Sequence, residues 1–593
     1  MTISSQSVSQ SGPGRAAGLH RGWLALAFLI AAYAVFGHLG DFALLSPDEG
    51  RNAEVAREMS QSGAWLVPTY LGATYLDKPA FYFRAVALSM DLFGPSEWSA
   101  RLPSALFGFG LLVALFAFCR RVYDEHTAAL ALVITATTPL FIAFSRIVIF
   151  DMTLGFFVSG SILAAYLAEE HEGTARTRWY MLAAAAGGLA TLVKGPVGFL
   201  IPLLVMIAFH SSFSAGAAVR RLFALRHWLV FLALVLPWFV GLSLLCPDFP
   251  YYGIMKESVA RFTTTEFRRT APFYFYGLII AGTFFAWSLL LPESIRAAWQ
   301  RRAVLSRPDR LFIVWALVVV VFFSLSKSKL PGYILTGVVA LGVLTARVFG
   351  SALTNAGGQA ARIIRHGTAA LFVLALLAAL LMGALVWQPE AMHALVGRLQ
   401  FKPGVYEQVS PAFPAVVLSL ASIALLAAWV WKSGDPRLGW VAFLSVPILA
   451  GSGNFDLLAR IAETKSGRGL ARALAASLPE GTKLACYQCL PNGLPFYRSQ
   501  LLTVISDDGR ELTSNYVLFA LASGQPRPEH IVRKADWEAW LARQSAPVYL
   551  LAEAHRAAEL EALARHHVLV TEAVNSSYRA VLFPAKAGVA EAR

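Results

Sequence analysis

Long apolar stretches separated by short polar ones fill this chain up to about residue 452. A bilayer-crossing helix needs about 20 apolar residues. Stretches of that kind centre on 23–44, 99–118, 127–144, 148–168, 179–194, 196–213, 227–246, 272–292, 309–326, 330–349, 367–387, 412–431 and 437–452. The pattern predicts about thirteen spans, several joined by tight turns such as "VKGPVG" and "SKSKLPG". The largest early interruption runs from Leu45 to about Glu97, too long for a simple connection. Within it, "SPDE" (Ser46 to Glu49) has capping-box form with Pro at the first helical position. It predicts a short helix from Pro47 to about Ser62. On that helix Asp48, Arg51, Asn52 and Val55 share one face, while Glu54 and Arg57 fall on another. A second, amphipathic helix is predicted from Pro79 to Phe93, lying at the membrane interface.

From about residue 453 the period changes. "GTKLACYQC", "QLLTVIS", "NYVLFA", "APVYLLAE" and "HHVLVTEAV" read as strands, and "GRGLARALAASL", "KADWEAWLARQ" and "RAAELEALARH" as helices. This alternation predicts a small α/β domain over 453–593, after a membrane domain over 23–452 that includes the loop 45–97. No internal repeat is visible.

Composition agrees with a membrane chain. Of 593 residues, 57% are hydrophobic and 15% charged, against about 25% charged in soluble domains. The net charge of +14 does not point to nucleic acid, because membrane proteins concentrate Lys and Arg in cytoplasmic loops. With the polar tail 1–22 placed in the cytoplasm, the inner loops carry Arg120/Arg121, Arg176/Arg178, Arg220/Arg221/Arg226, "RAAWQRRAVLSRPDR", Arg347/Arg362/Arg365 and Lys432/Arg437. An odd number of spans then puts the C-terminal domain outside. The first apolar run lacks a small-x-small cleavage site and reads as a retained helix. Cys119 and Cys246 lie at the ends of apolar runs; for Cys486 and Cys489, a C-x-x-C pair, redox, metal and structural readings all stand.

The outer loops hold a different kind of charge. Asp48, Glu49 and Arg51 open the first helix, and Asp77 and Lys78 precede the second. "FSRIVIFDMT" supplies Arg146 and Asp151, and "ATLVKGPVGF" supplies Lys194. "MKESVARFTTTEFRRT" carries Lys256, Glu257, Arg261 and Glu266; "SLSKSKLPGYIL" carries Lys327, Lys329 and Tyr333. Each has a local explanation: Glu49 favours the helix dipole, a lone acid caps a span, and a lysine snorkels. Snorkelling accounts less well for cations in so many successive outer loops. A Lys/Arg pocket at headgroup level suits the phosphate of a lipid, and a carboxylate beside it can act on or orient an acceptor.

"PDEGRNAEVAREM", "GAWLVPTYLGATYLDKP", "LATLVKGPVGFLIP", "RFTTTEFRR" and "SKSKLPGYIL" together resemble, in order, the loops of bacterial lipid A aminoarabinose transferases and related protein mannosyltransferase-like enzymes. These are integral-membrane glycosyltransferases of the GT-C type. The resemblance covers nearly the whole chain and is faintest in the last 140 residues or so. It implies an inner-membrane enzyme with its active site and C-terminal domain in the periplasm. Such an enzyme moves a sugar, with inversion, from a polyprenyl (commonly undecaprenyl) monophosphate to lipid A or another envelope acceptor. By motif, Asp48 falls at the acidic position proposed to be catalytic, and Asp151 at a second acidic position. Arg51, Lys78, Arg261 and Tyr333 fall near the donor phosphate, with Lys329 in a weaker role. Glu49, Asp77 and Lys194 support them. Asp77 stands where Glu is usual, and Gly332 where Thr is typical. Lys256, Ser258, Phe267 and Arg268 occupy a region where relatives often have histidines. No clear metal-ligand set remains, so no metal is assigned to a site; a divalent metal stays open, and no other cofactor is predicted. A different sugar delivered to protein or lipopolysaccharide core is the second enzyme reading. A lipid transporter is the rival class, disfavoured because the unusual residues cluster at one surface rather than near midplane.

Overall fold

A computed structural model describes residues 21–267, 269–398, 405–478, 481–564, 571–573 and 577–584. The expected tail 1–22 lies outside these except for its last two residues, as do Arg268, the end of the "RAAELEALARH" helix and most of "HHVLVTEAV".

The apolar stretches are helical, but fewer cross as straight rods than their pattern predicts. Among the described residues, seven helices are long and apolar enough to span a bilayer, or up to ten if each bent pair counts as one. Each of the expected stretches falls on a helix or a bent helix pair, but not every one is long and apolar enough to cross by this measure. The stretch at 23–44 yields only the 16-residue α1 (Arg21–Phe36), and 196–213 the 15-residue α9 (Val197–Ser211). The stretch at 127–144 breaks into α5 (Glu125–Ala136) and α6 (Pro139–Ser145), bent by 69°. There Thr137 and Thr138 turn their hydroxyls back onto preceding carbonyls and Pro139 supplies no N–H. The stretch at 272–292 breaks more sharply, by 116°, between Phe275–Thr283 and Trp287–Gln300.

Burial orders the spans. In α7 (Asp151–Ala168) 83% of the apolar window is buried, whereas in Gly216–Leu245 only 6% is. The first is the centre of the bundle; the second presents Leu229, Leu236, Val240 and Leu244 outward, as a lipid-facing helix must. Asp151, the first residue of α7, is thus held on the most enclosed helix.

The first loop folds as two helices and a hairpin. α2 (Asp48–Ser62) ends at Gly63, whose left-handed backbone (φ 66°) lets its N–H cap Met59 O. Next comes the small hairpin β1 (Thr69–Tyr70) and β2 (Ala73–Thr74), then α3 (Phe81–Phe93). The hairpin had no expectation in sequence. Glu58 fixes it, accepting from Thr69 Oγ1 and from the N–H groups of Leu71 and Gly72. α3 leads into α4 (Glu97–Val122), which Ser96 and Ser99 open with a reciprocal capping box. The capping box read at Ser46 does not form: Pro47 occupies the cap with no side-chain bond, and the Glu49 carboxylate is used elsewhere.

The C-terminal segment forms a six-stranded sheet in the order β5-β4-β3-β6-β8-β7. Its strands are β3 (Lys483–Tyr487), β4 (Thr503–Ile505), β5 (Ile531–Val532), β6 (Val548–Glu553), β7 (Thr571–Ala573) and β8 (Tyr578–Phe583). The β5, β4, β3 and β6 neighbours run parallel; β8 is antiparallel to β6 and β7. Period-2 alternation sorts the faces. Leu484, Cys486, Val504, Tyr549 and Leu551 face one core, and Ala485, Tyr487, Ile505, Val548 and Leu550 face another. The first core is shared with Val55, Met59, Tyr70, Tyr75, Tyr82 and Phe83 of the membrane-side loop. The contact is close: a Cβ on Gly50 would lie 2.6 Å from Gly493. Cys486 and Cys489 are free thiols buried in that core.

"NYVLFA", read as a strand, is instead the helix Asn515–Ala522. Its apolar, β-prone residues are overridden at its N-terminus. Ser514 accepts from Val517 N, and Asp77 accepts from the N–H groups of Asn515 (3.0 Å) and Tyr516 (2.7 Å).

Candidate functional site

α7, α8 (Gly173–Lys194), the segment after β2 and the stretch 251–263 enclose a cavity of about 580 Å³. Its walls are mostly apolar (Leu154, Val158, Leu200, Val235, Phe239, Phe322), and its polar groups collect at one place: Asp77, Lys78, Asp151, Lys194, Glu257, Arg261 and Tyr333. Most of these are the cations and acids singled out in five separate loops of the sequence.

Local structure delivers each group. Asp151 opens α7, and Lys194 is the last residue of α8, which Gly195 (φ 77°) ends. The two side chains meet at 2.6 Å. Lys194 Nζ also lies 4.8 Å from the centre of the Tyr333 ring and 4.9 Å from that of Phe150. Glu257 and Arg261 sit four apart across the junction of a π-helical segment, Tyr251–Ala260, and the turn Arg261–Thr263. Glu257 pairs with Lys78 and, at 2.8 Å, with Arg261. It was absent from the expected site, although its loop was read, because its partner Lys78 is 179 residues away. Burial pushes the Lys78 ammonium below its ordinary pKa despite Glu257. Burial also opposes the charge on Arg261, but Glu257, Tyr333 and Asp77 outweigh it and hold that pKa above its ordinary value. The Arg261 Nε is buried with no hydrogen-bond partner. Two adjoining cations, one with a free N–H aimed among buried groups, form a receptor for a small anion.

Gly332 is required where it stands. A Cβ there would lie 2.5 Å from the Phe144 ring and 3.2 Å from an Asp151 carboxylate oxygen. Gly332→Ala is expected to cost about 1–3 kcal/mol through overpacking, read as a lower thermal-unfolding midpoint of the purified protein. An unchanged midpoint would show that Phe144 yields freely.

Other expected site residues lie elsewhere. Asp48 and Arg51 do not line the cavity. They pair at 2.6 Å on α2, with the Asp48 side chain 55% exposed and Arg51 nearly buried. Arg51 Nη1 donates to the carbonyl (2.9 Å) and hydroxyl (2.8 Å) of Thr513. Its guanidinium is 6.0 Å from the centre of Tyr75, a buried phenol within electrostatic reach of Arg51, Asp77, Asp48 and Glu257. Lys329 is turned away: its Nζ donates to Ser326 O at 2.6 Å, and it ties down its own loop. Asp77 touches the cavity, but its carboxylate is consumed by Tyr252 Oη (2.9 Å) and the two amides of the Asn515 helix. It joins three segments together.

Glu49 is more than a dipole partner. It is 3% exposed, takes two 2.9 Å bonds from Arg101, and accepts from Leu45 N (3.0 Å) and Val148 N (2.9 Å). Arg101 completes its fork on the carbonyls of Leu39, Phe42 and Ala43. This pair clamps the start of α2 to the segment leading into Asp151. Among the described residues no group of three or more His, Cys, Asp or Glu is placed to hold a metal ion. The cavity carboxylates are instead engaged by Lys194, by Lys78 with Arg261, and by backbone amides.

Residues 77–240 match the family described as dolichyl-phosphate-mannose-protein mannosyltransferase. The chain is 27% identical over 462 residues, 77% of its length and 80% of the relative's, to an undecaprenyl phosphate-alpha-4-amino-4-deoxy-L-arabinose arabinosyl transferase of Edwardsiella ictaluri. It is 31% identical over 351 residues, 57% of its length and 62% of the relative's, to the protein of that name from Aeromonas salmonicida. The crystal structure of ArnT from Cupriavidus metallidurans bound to undecaprenyl phosphate superposes with a TM-score of 0.76 at 25% identity, covering 95% of this chain and 98% of that one. The chain is a GT-C membrane glycosyltransferase. This multi-pass GT-C enzyme has the span-and-sheet plan of the ArnT fold, C-terminal sheet included. The same fold in its apo state gives an equal TM-score of 0.76.

Proposed function

We propose that this enzyme takes a sugar from a polyprenyl monophosphate, with undecaprenyl phosphate as the lipid, and transfers it with inversion to lipid A or another envelope acceptor. The observation that carries the reading is the convergence of Lys78, Arg261 and Lys194 at one end of an otherwise apolar cavity. Such a cavity suits a phosphate with a hydrocarbon tail. The relatives described above use a donor of this kind by name. The basic inner loops favour a cytoplasmic N-terminus, with this site and the C-terminal sheet on the periplasmic side.

In the transfer, the acceptor oxygen forms a bond to the anomeric carbon. The bond from that carbon to the phosphate oxygen breaks, and its electron pair stays on the phosphate. Lys78 and Arg261 stabilise the charge gained by the leaving phosphate. Lys194, held by Asp151 and stacked on Tyr333, supports the same anion. Asp48 is half open to solvent, where an acceptor can reach it. A hydroxyl acceptor would give Asp48 its proton; a phosphate acceptor is already ionised, and Asp48 would orient it and offset positive charge on the sugar. The match to a protein mannosyltransferase family supports a second reading, a protein hydroxyl as acceptor.

Lys78→Ala is expected to weaken donor binding by tenfold or more, about the effect of losing one buried charged hydrogen bond. Donor KM and kcat of the purified protein in nanodiscs check it; unchanged values count against the phosphate site. Mass spectrometry of envelope lipids and glycoproteins, with and without the gene, tests the acceptor. A sugar mass that disappears from lipid A supports the first reading, and one that disappears from protein the second.

A further inference from the structure

The two cations best placed for the donor phosphate are already bound to a carboxylate of the same chain. Glu257 lies between Lys78 and Arg261 and bonds to both. It stands on a π-helical segment, a rare geometry that recurs at functional sites. Within it Ser258 Oγ donates to Gly253 O, five residues back, at 2.8 Å. Lys194 is neutralised in the same way by Asp151. An anion entering this pocket therefore exchanges with a carboxylate rather than meeting bare charge.

The exchange affects the two ends of the reaction unequally. The donor is a phosphodiester with one negative charge. The product is a monoester with about two near neutral pH, since its second pKa is about 6. Cations that stabilise the leaving phosphate also hold it afterwards, and product release commonly limits turnover. A displaced carboxylate that stays nearby repels the doubly charged product about twice as strongly as the singly charged donor.

We infer that Glu257 is a built-in competitor for the phosphate site that favours release of the polyprenyl monophosphate over loss of the donor. This rests on the phosphate-site reading above. Glu257 is a positioning and selectivity residue and takes no part in bond making. On release of the product, its carboxylate returns to Lys78 and Arg261.

The test uses the full chain in nanodiscs and two probes: undecaprenyl monophosphate and its methyl phosphodiester, which share a tail and differ by about one charge. For Glu257→Gln, monophosphate affinity is expected to rise about tenfold more than diester affinity. The pre-steady-state time course is expected to show a burst of one product per enzyme followed by a slower steady-state phase. A merely structural role would shift both probes together, and equal or absent shifts overturn the inference. Lys78→Ala separates the two claims. If it weakens both probes while Glu257→Gln does not discriminate them, the site stands and the competitor role fails. If it weakens neither, the phosphate site itself fails. Should Glu257→Gln not fold, Glu257→Asp decides, because it withdraws the carboxylate by one methylene. A smaller preferential gain for the monophosphate supports the role, and none overturns it.

Discussion

Asp48→Asn is expected to lower kcat by about 10²–10⁴, the range of a lost general base or positioned charge, while leaving polyprenyl-phosphate binding near wild type. The separation follows from where Asp48 stands. It is not in the lining of the phosphate cavity, it is about half exposed, and its one ion pair is to Arg51 at 2.6 Å. The Asp48 end of this i,i+3 pair is open to solvent, where such a pair contributes about 1 kcal/mol, and the first-turn dipole contribution is of similar size. Asparagine keeps the shape and an oxygen that can accept from Arg51, and Arg51 keeps both bonds to Thr513. The variant should therefore fold and bind donor. A kcat within about threefold of wild type, with the same donor affinity, would remove Asp48 from the chemistry.

Much of this site could be read along the chain, because its chemistry is concentrated in short loops between apolar spans. Lys78, Asp151, Lys194, Arg261 and Tyr333 were each recognisable as charge or phenol at a span mouth, and the fold gathers all five around one cavity. Long-range pairing was not readable. Nothing local marks Glu257 as the partner of Lys78, or Arg101 as that of Glu49, across 179 and 52 residues. The same gap explains Asp77, whose carboxylate resembles that of a neighbouring ion pair but caps a helix 438 residues away. That cap, with Ser514, makes a helix of "NYVLFA", which propensity alone assigns to a strand. Lys329 shows the opposite case, a local contact that its motif does not announce. Its motif is right, but its ammonium satisfies a local carbonyl. The shape of individual spans was not readable either: Thr-Thr-Pro bends one apolar run, and the runs at 23–44 and 196–213 give helices of only 16 and 15 residues.

Arg101→Ala is expected to destabilise the protein by about 3–5 kcal/mol, the cost of stranding one member of a buried ion pair. The guanidinium, on α4, donates five hydrogen bonds of 2.7–3.1 Å, two to Glu49 and three to carbonyls that end the first apolar segment. Its removal leaves the Glu49 carboxylate buried with only the amides of Leu45 and Val148. The thermal-unfolding midpoint measures the cost. Glu49→Gln together with Arg101→Met should recover a substantial part of it, because an uncharged pair of similar volume carries no stranded charge. Activity should fall further than stability alone predicts. Glu49 adjoins Asp48, and Val148 precedes Asp151 by three residues, so one carboxylate fixes the spacing between Asp48 and the cavity acid Asp151. The double variant separates the two effects. If it regains stability and still transfers sugar slowly, the ion pair positions the two acids. If it regains both, the pair only holds the fold together.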